Sequence, residues 1–476
     1  MPKFYITTPI YYVNERPHIG HAYTTIAADT LARYYRLKKY QVMFLTGTDE
    51  HGLKVARAAA AKNLPPKEYV DQVAGEFQKT WQKLGILYDN FIRTTDSSHI
   101  KMVQEILQKL YSKDLIYKGK YKGLYCVGCE AYKTEKELVN GKCPDHNKAP
   151  EKTEEECYLF KLSKYQGKIY EIIKSHKLKI EPESRKNEIL SFLNNEKLED
   201  IAISRQKTKV FWGIELPFDK SHTLYVWLDA FLNYLSGINW PSEESKQFWP
   251  PDIQLMAKDI LRVHSTIWLA LLLALDLPLP KKIFAHGFFT INGQKMSKTI
   301  GNVINPNLLA EKYGSDAVRY FLLREFPFGS DGDFSEIRLR ERYNADLAND
   351  LGNLVQRILA MAVKNRVKIK EQRVKIKEQK VKILPEVARN IEDLKFKEAL
   401  DKIWELVLEA NQNIDKNEPW NLAKKDPKKL EEFLNQISDK ILTIAENLKP
   451  FLPETSKKIF KQFQDLKPEV LFPKLD

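Results

Sequence analysis

The first 35 residues constrain the fold most, because they have the pattern of a strand, a tight turn and the start of a helix. An apolar run from Phe4 to Ile10 indicates a buried strand, and helical periodicity extends from about His18 to Tyr35. The segment Pro17-His18-Ile19-Gly20-His21 lies between them. A helix N-terminus that follows a strand presents N–H groups and a positive dipole, so this junction is a favourable place to bind phosphate.

Two short segments contain the candidate chemistry. His18 and His21 are three residues apart and share one face of the first helical turn. Gly20 between them has no side chain, so a flat base or ribose has room against the backbone. The segment Lys295-Met296-Ser297-Lys298-Thr299 begins 277 residues after His18 (295 minus 18) and adds two cations. Together the two segments predict a site that holds one ATP from two sides and cleaves it between its α and β phosphates.

The pattern of elements predicts an α/β fold with a doubly wound, Rossmann-like parallel sheet. Strands and helices alternate to about residue 115, and strands are predicted again at Thr223–Trp227, Ile253–Ala257 and Ile283–Phe289. Ligands bind at the carboxyl ends of parallel strands, so such a split sheet allows distant segments to meet. After about residue 340, helical periodicity at 344–363, 386–414, 427–448 and 454–463 predicts a C-terminal α-helical bundle.

We predict four regions along the chain. Residues 1–115 form the first half of the catalytic domain, and 116–205 form an inserted domain with a metal site. Residues 206–325 complete the catalytic domain, and 326–476 form the helical domain. A tandem basic repeat at 366–372 and 373–379 has no clean helical or strand period, so we interpret it as a solvated insertion.

Charge and cysteine content limit the class of protein. Lys and Arg number 76 against 63 Asp and Glu, a net charge of +13. This excess suits a polyanion such as RNA, although a lysine-rich proteome gives the same balance. No apolar run reaches membrane-spanning length, and the N-terminus leads directly into a strand without a signal peptide. Clustered cysteines indicate metal in a reducing compartment, so we expect a cytoplasmic protein without membrane contact.

The inserted region has the spacing of a structural zinc site. Cys126-x2-Cys129-x13-Cys143-x2-His146 places two close pairs of ligands, which predicts a closed tetrahedral Zn²⁺ site. Cys157 is an alternative to His146 as fourth ligand, but it lies eleven residues further on, which fits a compact knuckle less well. Buried thiols without metal are the other interpretation.

The motifs H-x-G-H and K-M-S-K-T resemble the signatures of class I aminoacyl-tRNA synthetases, with Thr299 where many relatives have Ser. Residues 7–14, 45–52 and 225–230 are similar to segments of methionyl-tRNA synthetases. The resemblance extends from residue 3 to about residue 425. It implies that methionine and ATP form methionyl-adenylate and pyrophosphate, and that the methionyl group then passes to the terminal adenosine of tRNA.

The resemblance also implies roles for individual residues. Those implied in catalysis are His18, His21, Lys295, Lys298 and Arg205. Those implied in binding ATP, which brings Mg²⁺ without a dedicated protein cage, are Asn14, Gly20, Lys258, Asp259, His286 and Ser297. Those implied in the methionine pocket are Pro9, Ile10, Tyr12, Asp49, Trp227, Ala230, Tyr234, Val263, His264 and Ile267. Asp49 is expected to pair with the α-ammonium group, and Tyr12 and His264 are expected to offer polar hydrogens to the thioether.

In this family the helical domain binds the CAU anticodon of tRNA(Met), which implies a surface formed by Asn353, Arg357 and Trp420. Splayed loop bases stack on aromatic rings, and a helix-capping core aromatic is the alternative role of Trp420. Some members of the family continue into a tRNA-binding OB-fold domain. Because the sequence ends at Asp476, we expect that such a domain, if it is used, acts in trans as a separate subunit.

Other functions share parts of this pattern. A nucleotidyltransferase could share the H-x-G-H motif without binding tRNA, but the K-M-S-K loop and the helical region argue against it. A non-catalytic RNA-binding paralogue would not need His18, His21 and Lys298. Leucine or isoleucine is the alternative substrate, because an apolar pocket separates similar side chains by only about 1–3 kcal/mol.

Overall fold

In the part of the chain that the structure describes, the fold consists of a central parallel sheet, two smaller antiparallel sheets, one mixed sheet and a C-terminal group of helices. The computed structural model describes residues 1–14, 16–126, 131–133, 135, 138–144, 148–296, 301–367, 369 and 382–476. The strands are β1 Lys3–Tyr12, β2 Gln41–Asp49, β3 Asn90–Arg93, β4 Ile116–Cys126, β5 Ala131–Lys133, β6 Glu151–Phe160, β7 Lys179–Glu181, β8 Ile201–Ala202, β9 Ser204–Gln206, β10 Glu215–Leu216, β11 Asp219–Leu224, β12 Ile253–Ala257, β13 Lys282–His286, β14 Phe289–Ile291, β15 Gln294–Lys295 and β16 Gly332–Asp333.

The helices surround these sheets and then continue alone to the C-terminus. They are α1 Ile19–Leu37, α2 Leu53–Ala60, α3 Pro66–Lys83, α4 Ser97–Ser112, α5 Gln166–Lys174, α6 Glu183–Asn195, α7 Val226–Ser236, α8 Glu243–Lys246, α9 Leu261–Val263, α10 Leu269–Ala274, α11 Pro306–Tyr313, α12 Ser315–Arg324, α13 Glu336–Arg342, α14 Asn353–Lys364, α15 Pro385–Glu392, α16 Phe396–Asn417, α17 Pro419–Lys425, α18 Pro427–Leu448 and α19 Pro453–Asp465. Short 3-10 turns lie at Leu162–Tyr165 and Lys258–Ile260, and π-helical segments lie at His264–Trp268 and Tyr343–Gly352.

The central sheet confirms the predicted α/β fold. Its order is β3-β2-β1-β12-β13-β7, and every neighbouring pair is parallel. β1 lies between strands that are far apart in sequence, since Ile6 is in register with Phe44 of β2 and with Ile253 of β12. The carboxyl ends of these strands therefore meet at one edge, which is where doubly wound sheets bind ligands.

Two predictions about the strands need correction. The predicted strand Thr223–Trp227 is wrong, because β11 ends at Leu224 in a separate sheet of order β10-β11-β9, and α7 begins at Val226. A short apolar run does not separate a strand from a buried helix, and this run continues with helical spacing into α7. In addition, β7 lies within the predicted insertion 116–205 but pairs with β13 of the central sheet. The rest of that region contains a sheet of order β5-β4-β6-β8.

The C-terminal helical region is confirmed, with one division. The predicted helix 344–363 is the π-helical segment Tyr343–Gly352 followed directly by α14. The predicted helix 386–414 is divided into α15 and α16 by a turn in which Leu394 has φ 59°. Most of the basic repeat lies outside the described residues. Among the described helices, none combines the length and the apolar character needed to cross a membrane.

A buried arginine joins the catalytic sheet region to the C-terminal helices. Arg319 of α12 is fully buried, and its guanidinium lies 2.7 Å from the carboxylate of Asp29 in α1. Its Nε donates to the carbonyl of Phe451 at 2.8 Å, in the turn between α18 and α19. Arg33 also pairs with Asp29, at 2.7 Å. The helix that begins beside His18 is thereby fixed to the helical region.

Candidate active site

The N-terminus of α1 is capped by its own histidines. His18 is the N-cap, and its Nδ1 accepts from the N–H of Gly20 at 3.1 Å. The Nδ1 of His21 accepts from the N–H of His18 at 3.4 Å, and the two rings stack with centroids 3.7 Å apart. Because both Nδ1 atoms accept, the remaining hydrogen of each neutral ring is on Nε2. Burial, with the neighbouring His18, lowers the pKa of His21 well below its usual value.

The two signature segments meet at this helix N-terminus. The Cε of Met296 lies 3.3 Å from the position that a Cβ on Gly20 would occupy, and Cε1 of His18 lies 2.9 Å from it. The N–H of Ile19 donates to the carbonyl of Ile304 at 3.1 Å. The space above Gly20 is therefore filled by His18 and Met296, not open as the sequence led us to expect. Lys295 ends β15, while Ser297, Lys298 and Thr299 lie outside the described residues.

A hairpin leads into the Lys295 segment, and Asn-Gly is a pair that such turns favour. Asn292 and Gly293 have φ of 53° and 74° in the turn between β14 and β15. The carboxylate of Asp333 accepts from the N–H of Gly293 at 2.9 Å and from the hydroxyl of Thr290 at 2.7 Å. These bonds lower the pKa of Asp333. The segment after α12 therefore fixes the turn of the hairpin.

A cavity of about 210 Å³ lies between the ends of β1 and β2 and the helix α7. Eight of the ten residues predicted for methionine line it: Pro9, Ile10, Tyr12, Asp49, Trp227, Ala230, Tyr234 and His264. The other two, Val263 and Ile267, pack into the adjacent core and are not among its lining residues. The walls are mostly apolar and aromatic, and Asp49 supplies a buried carboxylate at the end of β2.

The polar hydrogens of two pocket residues are engaged within the protein. His264 Nδ1 lies 2.8 Å from the carbonyl of Ile260, so it carries the hydrogen, and Nε2 accepts from the hydroxyl of Tyr234 at 2.8 Å. Burial lowers the pKa of His264 to about 4, which keeps the ring neutral. The hydroxyl of Tyr12 donates to the carbonyl of His51 at 3.2 Å. In this arrangement both side chains thus donate their hydrogens within the protein, and the expected donation from Tyr12 and His264 to a thioether stays a prediction.

Five residues that line the cavity are outside the set predicted for methionine: Lys54, Val226, Phe231, Asn233 and Ile260. The ammonium group of Lys54 lies 5.6 Å from the ring centroid of Tyr12, so it adds a cation near Asp49. Its position shortly after the Asp49–Gly52 segment was a usable signal. Val226, Phe231 and Asn233 face the cavity because α7 is a helix, and Ile260 lies in the short turn after β12.

The other residues predicted to bind ATP have partners within the protein. Lys258 and His286 lie at or directly after the ends of β12 and β13, as predicted, but Lys258 pairs with Asp331 at 2.5 Å. His286 is buried, and its Nδ1 and Nε2 lie 2.7 and 2.6 Å from the carbonyl of Gly287 and the hydroxyl of Thr24. Burial lowers the pKa of His286 to about 4. Asp259 is exposed and Asn14 is half-buried, and their roles in binding a nucleotide stay predictions.

Arg205, which we expected in catalysis, lies in a buried ion pair. It is 6% exposed and its partner Glu155 of β6 is 5% exposed. Lys209 also reaches this carboxylate, at 2.9 Å. Arg205 is not among the residues that line the cavity. The geometry is that of a cation that fixes β6 against β9, and the catalytic role of Arg205 stays a prediction.

The predicted zinc ligands are only partly described. Cys126 and Cys143 are buried thiols, and Cys129 and His146 lie outside the described residues. Cys157 pairs across the sheet with Gly119, seven residues before Cys126 on β4, which separates the two cysteines by roughly 23 Å at about 3.3 Å per residue. Cys157 also packs with Leu159 and Ala202. It therefore does not share a metal site with Cys126.

The predicted anticodon residues lie on the surface of the helical region. Asn353 is exposed at the start of α14, and Trp420 is 44% exposed in the first turn of α17. Arg357, one turn after Asn353, lies 3.6 Å from Asp415 near the end of α16, five residues before Trp420. The exposure of Trp420 excludes the alternative of a core aromatic.

Comparisons with known proteins find the same family by sequence and by structure. The family model described as tRNA synthetases class I (M) matches residues 4–149 and 137–359. A methionine–tRNA ligase of Caldanaerobacter subterraneus subsp. tengcongensis is 46% identical over 471 residues, which cover 96% of this chain and 73% of that protein. The ligase of Thermotoga maritima is 44% identical over 474 residues, with 97% and 75% covered.

A solved structure of similar fold is the methionyl-tRNA synthetase of Mycobacterium tuberculosis in complex with methionyl-adenylate. Its TM-score is 0.90 at 37% identity, and the match covers 100% of this chain and 99% of that one. Both signature segments, 18–21 and 295–299, lie within the residues that the family model matches. The chain belongs to the methionyl-tRNA synthetase family of class I aminoacyl-tRNA synthetases.

Proposed function

We propose that the cavity beside Asp49 binds the side chain and ammonium group of methionine, and that the N-terminus of α1 binds ATP. The function is that of a methionine–tRNA ligase: methionine and ATP give methionyl-adenylate and pyrophosphate, and the methionyl group is then transferred to tRNA. The main observation that supports this assignment is that His18 and Met296 both lie against Gly20 at the N-terminus of α1. It supports one binding region built from both signature segments.

The size and lining of the cavity support a single amino-acid side chain. Its volume of about 210 Å³ is below the roughly 300–1,000 Å³ of pockets that bury drug-sized ligands. The rings of Trp227 and Phe231 lie 5.9 Å apart in its wall. A thioether gains about 0.3–1.5 kcal/mol from each contact with an aromatic ring. These features favour methionine over a branched aliphatic substrate.

In the proposed reaction the protein acts by positioning and by hydrogen bonding. The carboxylate of methionine attacks the α-phosphorus, and pyrophosphate leaves with the electron pair of the broken P–O bond. Nε2–H of His18 and of His21 donate to phosphate oxygens as negative charge develops there. His21 donates as a neutral ring, since its pKa is lowered by burial. Lys298 and Lys295 are proposed to neutralise the leaving pyrophosphate, and Mg²⁺ accompanies ATP as in class I synthetases generally.

Pyrophosphate exchange into ATP tests this proposal directly when each of the twenty amino acids is supplied separately. We expect exchange with methionine and background exchange with leucine and isoleucine. Exchange that depends on another amino acid would retain the reaction and overturn the assignment of the pocket. Failure with all twenty, in protein shown to be folded, would contradict the assigned site.

Cys126, Cys129, Cys143 and His146 are proposed to bind one structural Zn²⁺. The donor set fits a closed zinc site, and the two described thiols are buried. We expect metal analysis to find about one zinc per chain. Cys126→Ser should lose the metal, while Cys157→Ser, which changes a thiol in a separate apolar cluster, should retain it. Folded protein without zinc would refute this proposal.

Asn353, Arg357 and Trp420 are proposed to contact the CAU anticodon of tRNA(Met). We expect Trp420→Ala to lower kcat/KM for tRNA by about 5- to 150-fold, because stacking contributes about 1–3 kcal/mol per base. Pyrophosphate exchange without tRNA should stay within twofold. The control is Val470→Ala, since Val470 is 59% exposed. It lies in the C-terminal segment, where the N–H of Leu475 donates to Asn344, away from Trp420 in the sequence. Equal losses in both assays would contradict separate sites.

Two further expectations remain proposals. The four region boundaries are retained, except that β7 belongs with the central sheet. A separate OB-fold subunit that binds tRNA in trans stays a prediction, and co-purification from native cells tests it.

A further inference from the structure

A buried polar cluster lies directly behind the cavity wall formed by α7. Asp229 of α7 is 1% exposed, and its two carboxylate oxygens lie 2.7 Å from Nδ1 of His51 and 2.8 Å from Nε2 of His99. The other nitrogen of His99 lies 2.6 Å from the hydroxyl of Ser236, two turns further along α7. We call these four residues the Asp229 cluster. None of them lines the cavity.

The bonding pattern fixes the charge and orientation of the cluster. A carboxylate only accepts, so the ring nitrogens of His51 and His99 that face Asp229 both carry hydrogen. Burial by itself would raise the pKa of Asp229, but the two histidines outweigh it and lower the pKa to about 2. Asp229 is therefore an ionised, fully paired carboxylate inside the protein. Such a group is held in one geometry by its partners.

The cluster connects the elements that form the cavity. Six of the thirteen lining residues belong to α7, and Asp229 lies between two of them, Trp227 and Ala230. His51 follows the lining residue Asp49 by two positions, and its carbonyl accepts the hydroxyl of Tyr12. His51 therefore contacts β1 through its backbone carbonyl, which accepts from Tyr12, and contacts α7 through its ring, which donates to Asp229. His99 adds α4 as a rigid support on the far side.

From this arrangement we propose that Asp229, His51 and His99 are positioning residues that set the distance between α7 and Asp49, and so the selectivity of the cavity for methionine. The inference deepens the proposed function and rests on it. Apolar side chains of the same total volume would fill this space. They would not fix the rotation of α7 relative to the end of β2, because they form no directional bonds. A displacement of about 1 Å in a binding wall is enough to reduce a rate by roughly 100-fold.

The test compares His99→Leu with His99→Gln in pyrophosphate exchange. His99→Leu removes the donor to Asp229, whereas the side-chain amide of Gln retains a donor near the position of Nε2. For His99→Leu we expect the KM for methionine to rise roughly 10- to 100-fold, with the KM for ATP within twofold. We also expect the ratio of kcat/KM for methionine to that for norleucine to fall. His99→Gln should restore most of both values.

The matched control is His222→Leu. His222 is also buried, and its Nδ1 lies 3.2 Å from the hydroxyl of Ser204, but it is in β11 and away from the cavity lining. We expect it to lower the midpoint of thermal unfolding without changing the KM for methionine. Ser236→Ala, which removes only the outer bond of the cluster, is the second variant if His99→Leu does not fold. It should shift the methionine KM and the norleucine ratio in the same direction by a smaller factor.

The outcomes separate this inference from the proposed function. If the wild-type protein exchanges with methionine, but the folded variants keep its KM and selectivity, the cluster is only structural and the inference is overturned. If the wild-type protein prefers another amino acid, the proposed function fails. In that case the positioning role is tested by measuring whether the same variants lose selectivity between that amino acid and its nearest analogue.

Discussion

We expect Asp49→Asn to raise the KM for methionine by about 30- to 5,000-fold, with kcat for pyrophosphate exchange nearly unchanged. Asp49 is a buried carboxylate in the cavity lining, and loss of one partner of a buried charge pair costs about 2–5 kcal/mol. The ammonium group keeps its charge from substrate to adenylate, so its pairing contributes equally to the ground state and the transition state. Such uniform binding changes KM and not kcat.

Two inhibitors make this expectation specific. Methioninol retains the ammonium group and should lose affinity by the same factor as methionine, whereas 4-(methylthio)butanoate lacks that group and should bind both proteins equally. The control is Asp252→Asn, because Asp252 precedes β12 at the opposite edge of the same sheet, where its carboxylate accepts the N–H of Tyr5 at 2.8 Å. Equal weakening of both inhibitors would remove Asp49 from the ammonium site.

The second large effect is on stability. We expect Arg319→Leu to lower the free energy of unfolding by about 3–5 kcal/mol, because it leaves the carboxylate of Asp29 and the carbonyl of Phe451 buried with fewer partners. Hydrogen exchange should accelerate first in α1 and in the turn between α18 and α19, since Arg319 joins them. Denaturant unfolding followed by hydrogen exchange measures both effects.

The exposed Arg340 provides the control for this substitution. Its guanidinium donates to the carbonyl of Asp476 at 3.0 Å, and Arg340→Leu should change stability by less than about 1 kcal/mol. The double variant Arg319→Leu/Asp29→Leu removes both buried charges and should recover part of the lost stability. If hydrogen exchange in Arg319→Leu matches that of the wild-type protein, the contacts of Arg319 with Asp29 and Phe451 contribute little to stability.

Much of the site could be predicted because its residues are placed by regular elements. The strand–turn–helix unit around His18 follows from local periodicity. The assignment of Asp49 came from the resemblance to methionyl-tRNA synthetases, and the structure places this residue at the carboxyl end of β2, where doubly wound sheets bind ligands. The meeting of Gly20 with Met296 follows from the split sheet, although the filling of the space above Gly20 does not. The filling of this space depends on how side chains distant in the sequence pack, and a local sequence pattern does not predict such packing.

The missed features depend on long-range contacts. Residues 223–227 are apolar enough for either a strand or a helix, and only the packing of α7 against β1 and α4 decides between them. The buried pair between Arg205 and Glu155 joins residues 50 positions apart (205 minus 155), so no local pattern in the sequence indicates it. His51 and His99 were missed for the same reason, since their common partner Asp229 lies more than 100 residues further along the chain.

The position of β1 at the middle of the central sheet affects how the chain folds during synthesis. β2 pairs with one edge of β1 soon after translation begins, but β12 reaches the other edge only 247 residues later (253 minus 6). At about 5–20 residues per second, that edge is unpaired for roughly 12 to 50 s. An unpaired strand edge is a template for aggregation, so the nascent N-terminal half requires protection in this interval. We therefore expect that shielding of this edge of β1, by the ribosome or by a chaperone, raises the yield of folded protein.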